Sequence, residues 1–164
     1  MTGKIIQEMI RFFGTDVKRI AHALKVYAYA RTIAELEKVS PEMRESAVTA
    51  AILHDVGIKI AEDKYGSCTF RQQEEEGPLA AVSIMSKLSL PAPLIERVSS
   101  LIGHHHTPEA FQDSDFRILL EADFLVNFEE GNLNLSLLEE TGKNHFRTTT
   151  GKNLLTIMFG SKPV

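Results

Sequence analysis

The chain has 164 residues, 43% of them hydrophobic and 24% charged, which suits one domain, residues 1–164, with a buried core. The formal net charge is −4, with no basic block or lysine/arginine stripe interleaved with aromatics, which argues against a duplex nucleic-acid binder. No run of about 18 apolar residues exists to cross a membrane, and the opening MTGKIIQEMIRFFGTD is too polar and broken for a secretory signal. A soluble, cytoplasmic protein is expected, and the lone Cys68 excludes a disulfide framework or cysteine-rich zinc site.

The first predicted helix covers residues 4–13, with Ile5, Met9 and Phe12 or Phe13 on one face. Asp16 reads as the N-cap of a long second helix carrying Val17, Ile20, Leu24, Val26, Tyr27, Ala30 and Ile33. Ser40-Pro41 opens a third, with serine as cap, proline in the first turn and Glu42 near the positive end. That helix runs through AVTAAILHD and stops at Gly57. Residues 57–72 read as the longest loop, and Gly77-Pro78 as the opening of the next helix, LAAVSIMSKL. Pro91 and Pro93 open LIERVSSLIGHH, in which Leu94, Val98, Leu101, Ile102 and His105 share a face. After Pro108, DFRILLEADFLVNFEE forms an apolar helix ending near Gly131, and two short helices follow around 134–141 and 150–159. Apart from the short NLNLSL there is no period-2 alternation. The expected fold is all-α, a compact bundle of six to eight helices.

A helical bundle is apolar inside, so ionisable residues on apolar faces carry the information. His22 lies among Ile20, Ala21 and Val26; His54 and Asp55 end AAILHD; His104, His105 and His106 end SLIGHHH; Asp123 sits inside LLEADFLV. Each has a plain structural reading. A single histidine on an apolar face is most often a hydrogen-bonded core residue, and Asp55 suits a turn before Gly57. Asp123 is harder to place this way, because an unpaired buried carboxylate costs several kcal/mol. Taken together, histidine and aspartate at apolar positions of separate helices are the residue types that divalent metals take.

The order His22, His54-Asp55, Asp123, set in AHALKVYAYA, AAILHDVGIK and LLEADFLVN, resembles the HD-domain superfamily of metal-dependent phosphohydrolases, here as a small single-domain member of bacterial type. The resemblance covers about residues 16–128, with the C-terminal helices packing on that core. It implies that His22, His54, Asp55 and Asp123 hold a divalent ion in the core: manganese, iron, magnesium, nickel or cobalt. Members with a second ion use additional histidines between the doublet and the last aspartate. Here His104, His105 and His106 are available, but no histidine lies between Asp55 and His104, and Gly77 aligns where one would stand. One ion is therefore expected, and a second stays open, with Glu74, Glu75 or Glu76 as substitute oxygen donors. Helical phase turns His105 inward, with His104 or His106 flanking it.

The implied reaction is hydrolysis of a small phosphoester or nucleotide by a metal-activated water. Asp55 orients the water, and His105 reaches phosphate or water as cation, donor or general acid. Lys59 is the first candidate to meet phosphoryl charge, ahead of Lys64, Arg71 and Arg19. The alternative is a metal-containing regulatory or binding module of the same fold with no significant turnover. Homo-oligomerisation, through helix 1 or the C-terminal LLTIMF, is open.

Overall fold

The computed structural model describes residues 1–160, and within them the chain forms nine α-helices, a short 3-10 helix and no strand. Helix α1 (Thr2–Phe13) buries Ile5, Met9 and Phe13. Helix α2 (Val17–Leu36) starts at Asp16, whose carboxylate accepts from the Arg19 amide at 3.1 Å. Helix α3 (Pro41–Leu53) is capped by Ser40, which accepts from the Met43 amide at 3.2 Å. From Ser46 to Leu53 every residue of α3 is buried. An α-helix buried all round stands at the centre of its fold, and α2, α6 (Ala92–Ile102) and α7 (Ser114–Glu129) all pack on it.

The all-α helical bundle is as expected; the boundaries within it differ at one place. Residues 57–72 are not a long loop: α4 (Val56–Tyr65) follows α3 almost without a break, and α5 (Phe70–Lys87) begins soon after. The residues that look like loop composition are helix punctuation. Gly66 adopts the left-handed conformation at the end of α4 (φ 73°), a geometry that glycine accepts without steric cost. Thr69 and Gln72 form a reciprocal capping box at the start of α5. Gly77-Pro78 consequently lies inside α5 rather than at its start.

Gly57 sits where α4 crosses α5. A Cβ added to Gly57 would stand 2.7 Å from the Gln73 carbonyl oxygen and the Gly77 nitrogen, and 2.9 Å from the Gly77 Cα. All three are backbone atoms, so the helices themselves would have to part. Alanine would gain about 1 kcal/mol of helix propensity over glycine, but the overpacking is expected to outweigh it. Gly57→Ala should lose about 3 kcal/mol in denaturant unfolding. Gly3→Ala, also helical but with nothing near its added Cβ, is the control expected to be neutral or stabilising. Equal midpoints for the two variants would refute the close crossing.

The chain closes with a 3-10 helix at Leu135–Leu137, α8 (Leu138–His145) and α9 (Thr149–Phe159). Buried Glu121 of α7 accepts from the amides of Arg147 (2.6 Å) and Thr148 (2.9 Å) and from the Thr148 hydroxyl. Glu37 accepts from the Thr150 amide at 2.6 Å. These carboxylates satisfy free amides at the start of α9 and hold it on α2 and α7. No helix among the described residues is long and apolar enough to cross a membrane.

Candidate metal centre

Two of the site's histidines are aimed by the same local device. His54 follows the last residue of α3, and its Nδ1–H is given to the Ala51 carbonyl three residues back, at 3.0 Å. His105 follows the end of α6 and uses Nδ1 the same way on Ile102, at 2.7 Å. The last carbonyls of a helix lack intrahelical partners, so each imidazole caps the helix that carries it. With Nδ1 committed, Nε2 is turned inward as the free ring atom. Both Nε2 atoms are fully buried and have no hydrogen-bond partner. A buried polar atom without a partner is costly.

His22, on α2, reaches the same point from the opposite side. Its Nδ1 bonds Glu130 at 2.9 Å, and its Nε2 lies 3.1 Å from Asp123 Oδ1. His54 Nε2 is 3.5 Å from that same oxygen. One donor atom each from His22, His54 and Asp123 falls within 4.8 Å of the others. Asp55 approaches through Oδ2, 3.4 Å from His54 Nε2 and 3.6 Å from His22 Nε2, and presents Oδ1 to His105 Nε2 at 3.8 Å. Although Asp55 stands at the N-cap of α4, its side chain makes no capping bond. The simple turn-capping role therefore does not account for its carboxylate.

This donor set fits a divalent cation. Ligand bonds of about 2.1 Å meeting near right angles separate donor atoms by about 3 Å, close to the spacings found. Metal-ligating histidines characteristically give their other ring N–H to a carbonyl or carboxylate, as His22, His54 and His105 all do. Lone pairs facing carboxylate oxygens attract only with positive charge between them, a proton or a metal ion. In the metal-free protein that charge is a proton. Burial opposes it, but Asp55 and Asp123 hold the His54 imidazole up at about 9, and His22 is raised by its Asp123 contact against the same opposition. Burial likewise works against ionised Asp123, yet His22 and His54 keep its carboxyl well below the usual range.

A ring of hydrogen bonds supports two of these groups, and its members carry no histidine or HD motif to mark them. Asp123 Oδ1 accepts from Asn127 Nδ2 at 2.9 Å, Asn127 Oδ1 from Asn132 at 3.0 Å, and Glu130 from Asn132 at 3.4 Å. Glu130 closes the ring on His22 and is held by Lys25 at 3.1 Å. Asp123 and Asn127 on α7, and Glu130 at its C-cap, lie at i, i+4 and i+7, one helix face. That spacing is the sequence signal that would have found them.

The three consecutive histidines separate in space. His104 is exposed and caps the Ser100 carbonyl at 2.9 Å. His105 is buried at the centre, its pKa lowered by burial and by the neighbouring His54. With Nδ1 donating to Ile102, its free Nε2 is an acceptor, which does not suit it to the cation or general-acid role. His106 lies between, its Nε2 2.8 Å from Gln73 Oε1, and burial with the adjacent His105 pushes its pKa down to about 3.

Three further expectations are corrected. Lys59 points away from the site: its ammonium donates to the Phe12 carbonyl at 2.7 Å and lies over the Phe12 ring, tying α4 to α1. Lys18 and Arg19 instead line the 310 Å³ cavity that opens over His22, Asp55 and Asp123. Arg19 is oriented by Asp16 at 2.9 Å and Glu62 at 2.6 Å. Gly77 is no ligand position, because an added Cβ would meet Ile102 Cγ2 at 2.8 Å. Gln73, one turn earlier on α5, is the residue of that helix that lines the cavity. Glu74, Glu75 and Glu76 are bonded elsewhere: to His106 N and Thr107, to Arg71, and to Lys64 and Tyr65.

No curated protein matches the chain. Its structure is similar to the crystal structure of a predicted HD superfamily hydrolase from an uncultured Thermotogales bacterium. The two share 22% identity with a TM-score of 0.68, over 95% of this chain and 83% of that one. At that identity the likeness speaks for the fold. The HD domain family matches residues 19–135, a span that contains His22, His54, Asp55 and Asp123 alike. On that match the chain belongs to the HD domain family.

Proposed function

We propose that the protein is a metal-dependent phosphohydrolase that cleaves a small phosphoester, a nucleotide among the candidates, with one divalent ion held by His22, His54, Asp55 and Asp123. The observation that carries this reading is the convergence of buried, unpartnered imidazole nitrogens on two carboxylates in an open cavity. When bound, the ion supplies Lewis-acid polarisation of a phosphoryl oxygen and of water.

The chain's own groups do the rest. Asp55 lines the polar cavity with Oδ2 toward His54 and His22, which leaves Oδ1 placed to take a hydrogen from the attacking water and aim its lone pair at phosphorus. The water oxygen bonds to phosphorus as the phosphorus–alcohol bond breaks. The electron pair leaves on the alcohol oxygen, which takes up a proton from solvent water, while the proton taken by Asp55 is returned to solvent. Lys18 and Arg19 at the cavity wall meet the negative charge on the remaining phosphoryl oxygens. Arg19 is already oriented by two carboxylates, so little ordering is needed when the phosphate arrives.

The test is the purified full chain loaded with manganese, assayed on a nucleotide panel and a chromogenic phosphoester. Hydrolysis is expected, with a loss of at least about 100-fold in Asp55→Ala. Elemental analysis should find one ion per chain. Hydrolysis unchanged in Asp55→Ala, or no turnover by metal-loaded protein, would defeat the enzymatic reading.

A further inference from the structure

Beside the polar cavity lies a second chamber of different character. Its volume is 280 Å³, and its walls include Phe70, Phe124, Leu120, Leu133 and Pro108. Of the residues that line it, none is lysine or arginine and only Asp123 is acidic. The two cavities share His106, Asp123, Asn127 and Asn132, so they meet at the metal-facing carboxylate. Lys18, Arg19 and Asp55 line only the polar side, whereas His105 lines the apolar one.

Phe70 is the first residue of α5 and is 68% exposed. One face stacks on His106, with ring centroids 4.2 Å apart and planes 29° from parallel. Phe124, half-buried, stacks on His145 at 5.2 Å and 22°. Apolar walls with a few polar groups at one end are the usual make-up of a small-molecule pocket.

Building on the phosphohydrolase reading, we infer that this chamber receives the leaving-group alcohol and selects alcohols with a flat apolar body. The charges divide the substrate. Its phosphoryl anion belongs with Lys18 and Arg19, and its uncharged alcohol with the phenylalanines. Phosphorus then lies at the shared Asp123 boundary. Water activated beside Asp55 attacks from the polar side, and the alcohol departs into the chamber, the in-line arrangement that phosphoryl transfer requires. Phe70 and Phe124 are specificity residues in this scheme, touching the alcohol and taking no part in bond breaking.

The experiment compares benzylphosphonate with methylphosphonate, which share a non-hydrolysable phosphonate head and differ in one ring, by titration calorimetry on manganese-loaded full chain. Benzylphosphonate is expected to bind about tenfold or more tightly, from burial of the ring. Phe70→Ala should cut that preference about three- to tenfold, the worth of a stacked aromatic pair. Phe70→Tyr should restore it, and Phe124→Leu should lower it independently. Equal affinities in the wild type, or a preference that both Phe70→Ala and Phe124→Leu leave intact, overturns the assignment. Hydrolysis of benzyl phosphate is followed in parallel. Turnover without a binding preference overturns the chamber and leaves the hydrolase standing. A Phe70-dependent preference without turnover supports the chamber as a ligand pocket and defeats the hydrolase reading.

Discussion

Asp123→Ala is expected to leave a folded protein that no longer retains a divalent ion. Asp123 contacts both His22 and His54 through one oxygen, at 3.1 and 3.5 Å, and it anchors the Asn127–Asn132–Glu130 ring. Loss of a supporting partner typically weakens a metal site about 10- to 100-fold, so Glu130→Gln should fall in that range and loss of Asp123 beyond it. Equilibrium dialysis with manganese, followed by elemental analysis, reads both. Stoichiometric metal in Asp123→Ala would disprove this ligand assignment. Protons and metal compete for the same lone pairs. With His54 held up to about 9 in the metal-free state, against an ordinary 6.5, metal affinity should rise as pH climbs from 6.5 toward 9 and then level. For the metal-free fold the linkage has the opposite slope. A raised imidazole pKa stabilises fully below 6.5, and that contribution is lost as pH rises through about 9. Chelator-treated protein should therefore show a falling Tm over that window.

A large loss of stability is also expected at a site remote from the metal. Asp115 is buried and binds Arg97 through two parallel hydrogen bonds, at 2.8 and 2.6 Å, while Ser46 donates to it at 2.7 Å. One carboxylate thus joins α3, α6 and α7, the helices around the core. Burial alone would raise its pKa, but the Arg97 and Ser46 bonds lower it. Arg97→Ala would strand that carboxylate. Breaking a buried pair costs roughly 3–5 kcal/mol; because Arg97 is partly exposed, the lower end, about 3 kcal/mol, is expected. That corresponds to roughly 6–12 °C in Tm for a chain of this size. A carboxyl held low stabilises above its ordinary 3.8 and loses that effect on acidification. The variant should accordingly show a shallower acid transition. A change under about 0.5 kcal/mol would show that water replaces the guanidinium freely.

What the sequence determined by itself was the part of the protein governed by local rules. Helical periodicity and caps such as Asp16 and Ser40-Pro41 act within a few residues, so the all-α class and most helix starts could be read directly. The HD family pattern marked His22, His54, Asp55 and Asp123 because their residue types are unusual at apolar positions. Gly57, Gly66 and Thr69 looked like loop composition because glycine and threonine punctuate helices as readily as they fill loops. Only the crossing of α4 on α5 shows that Gly57 is there for backbone contact. Tertiary structure also decided which charges face the cavity. Lys59 and Arg19 are alike in sequence, each a cation within one turn of a predicted ligand. Lys59 is taken by a carbonyl of α1, and Arg19 is steered to the cavity by Glu62 of α4. Gln73, Glu130 and the Phe70–Phe124 chamber are defined by neighbours far away in the chain, through interactions that begin only once the helices have packed.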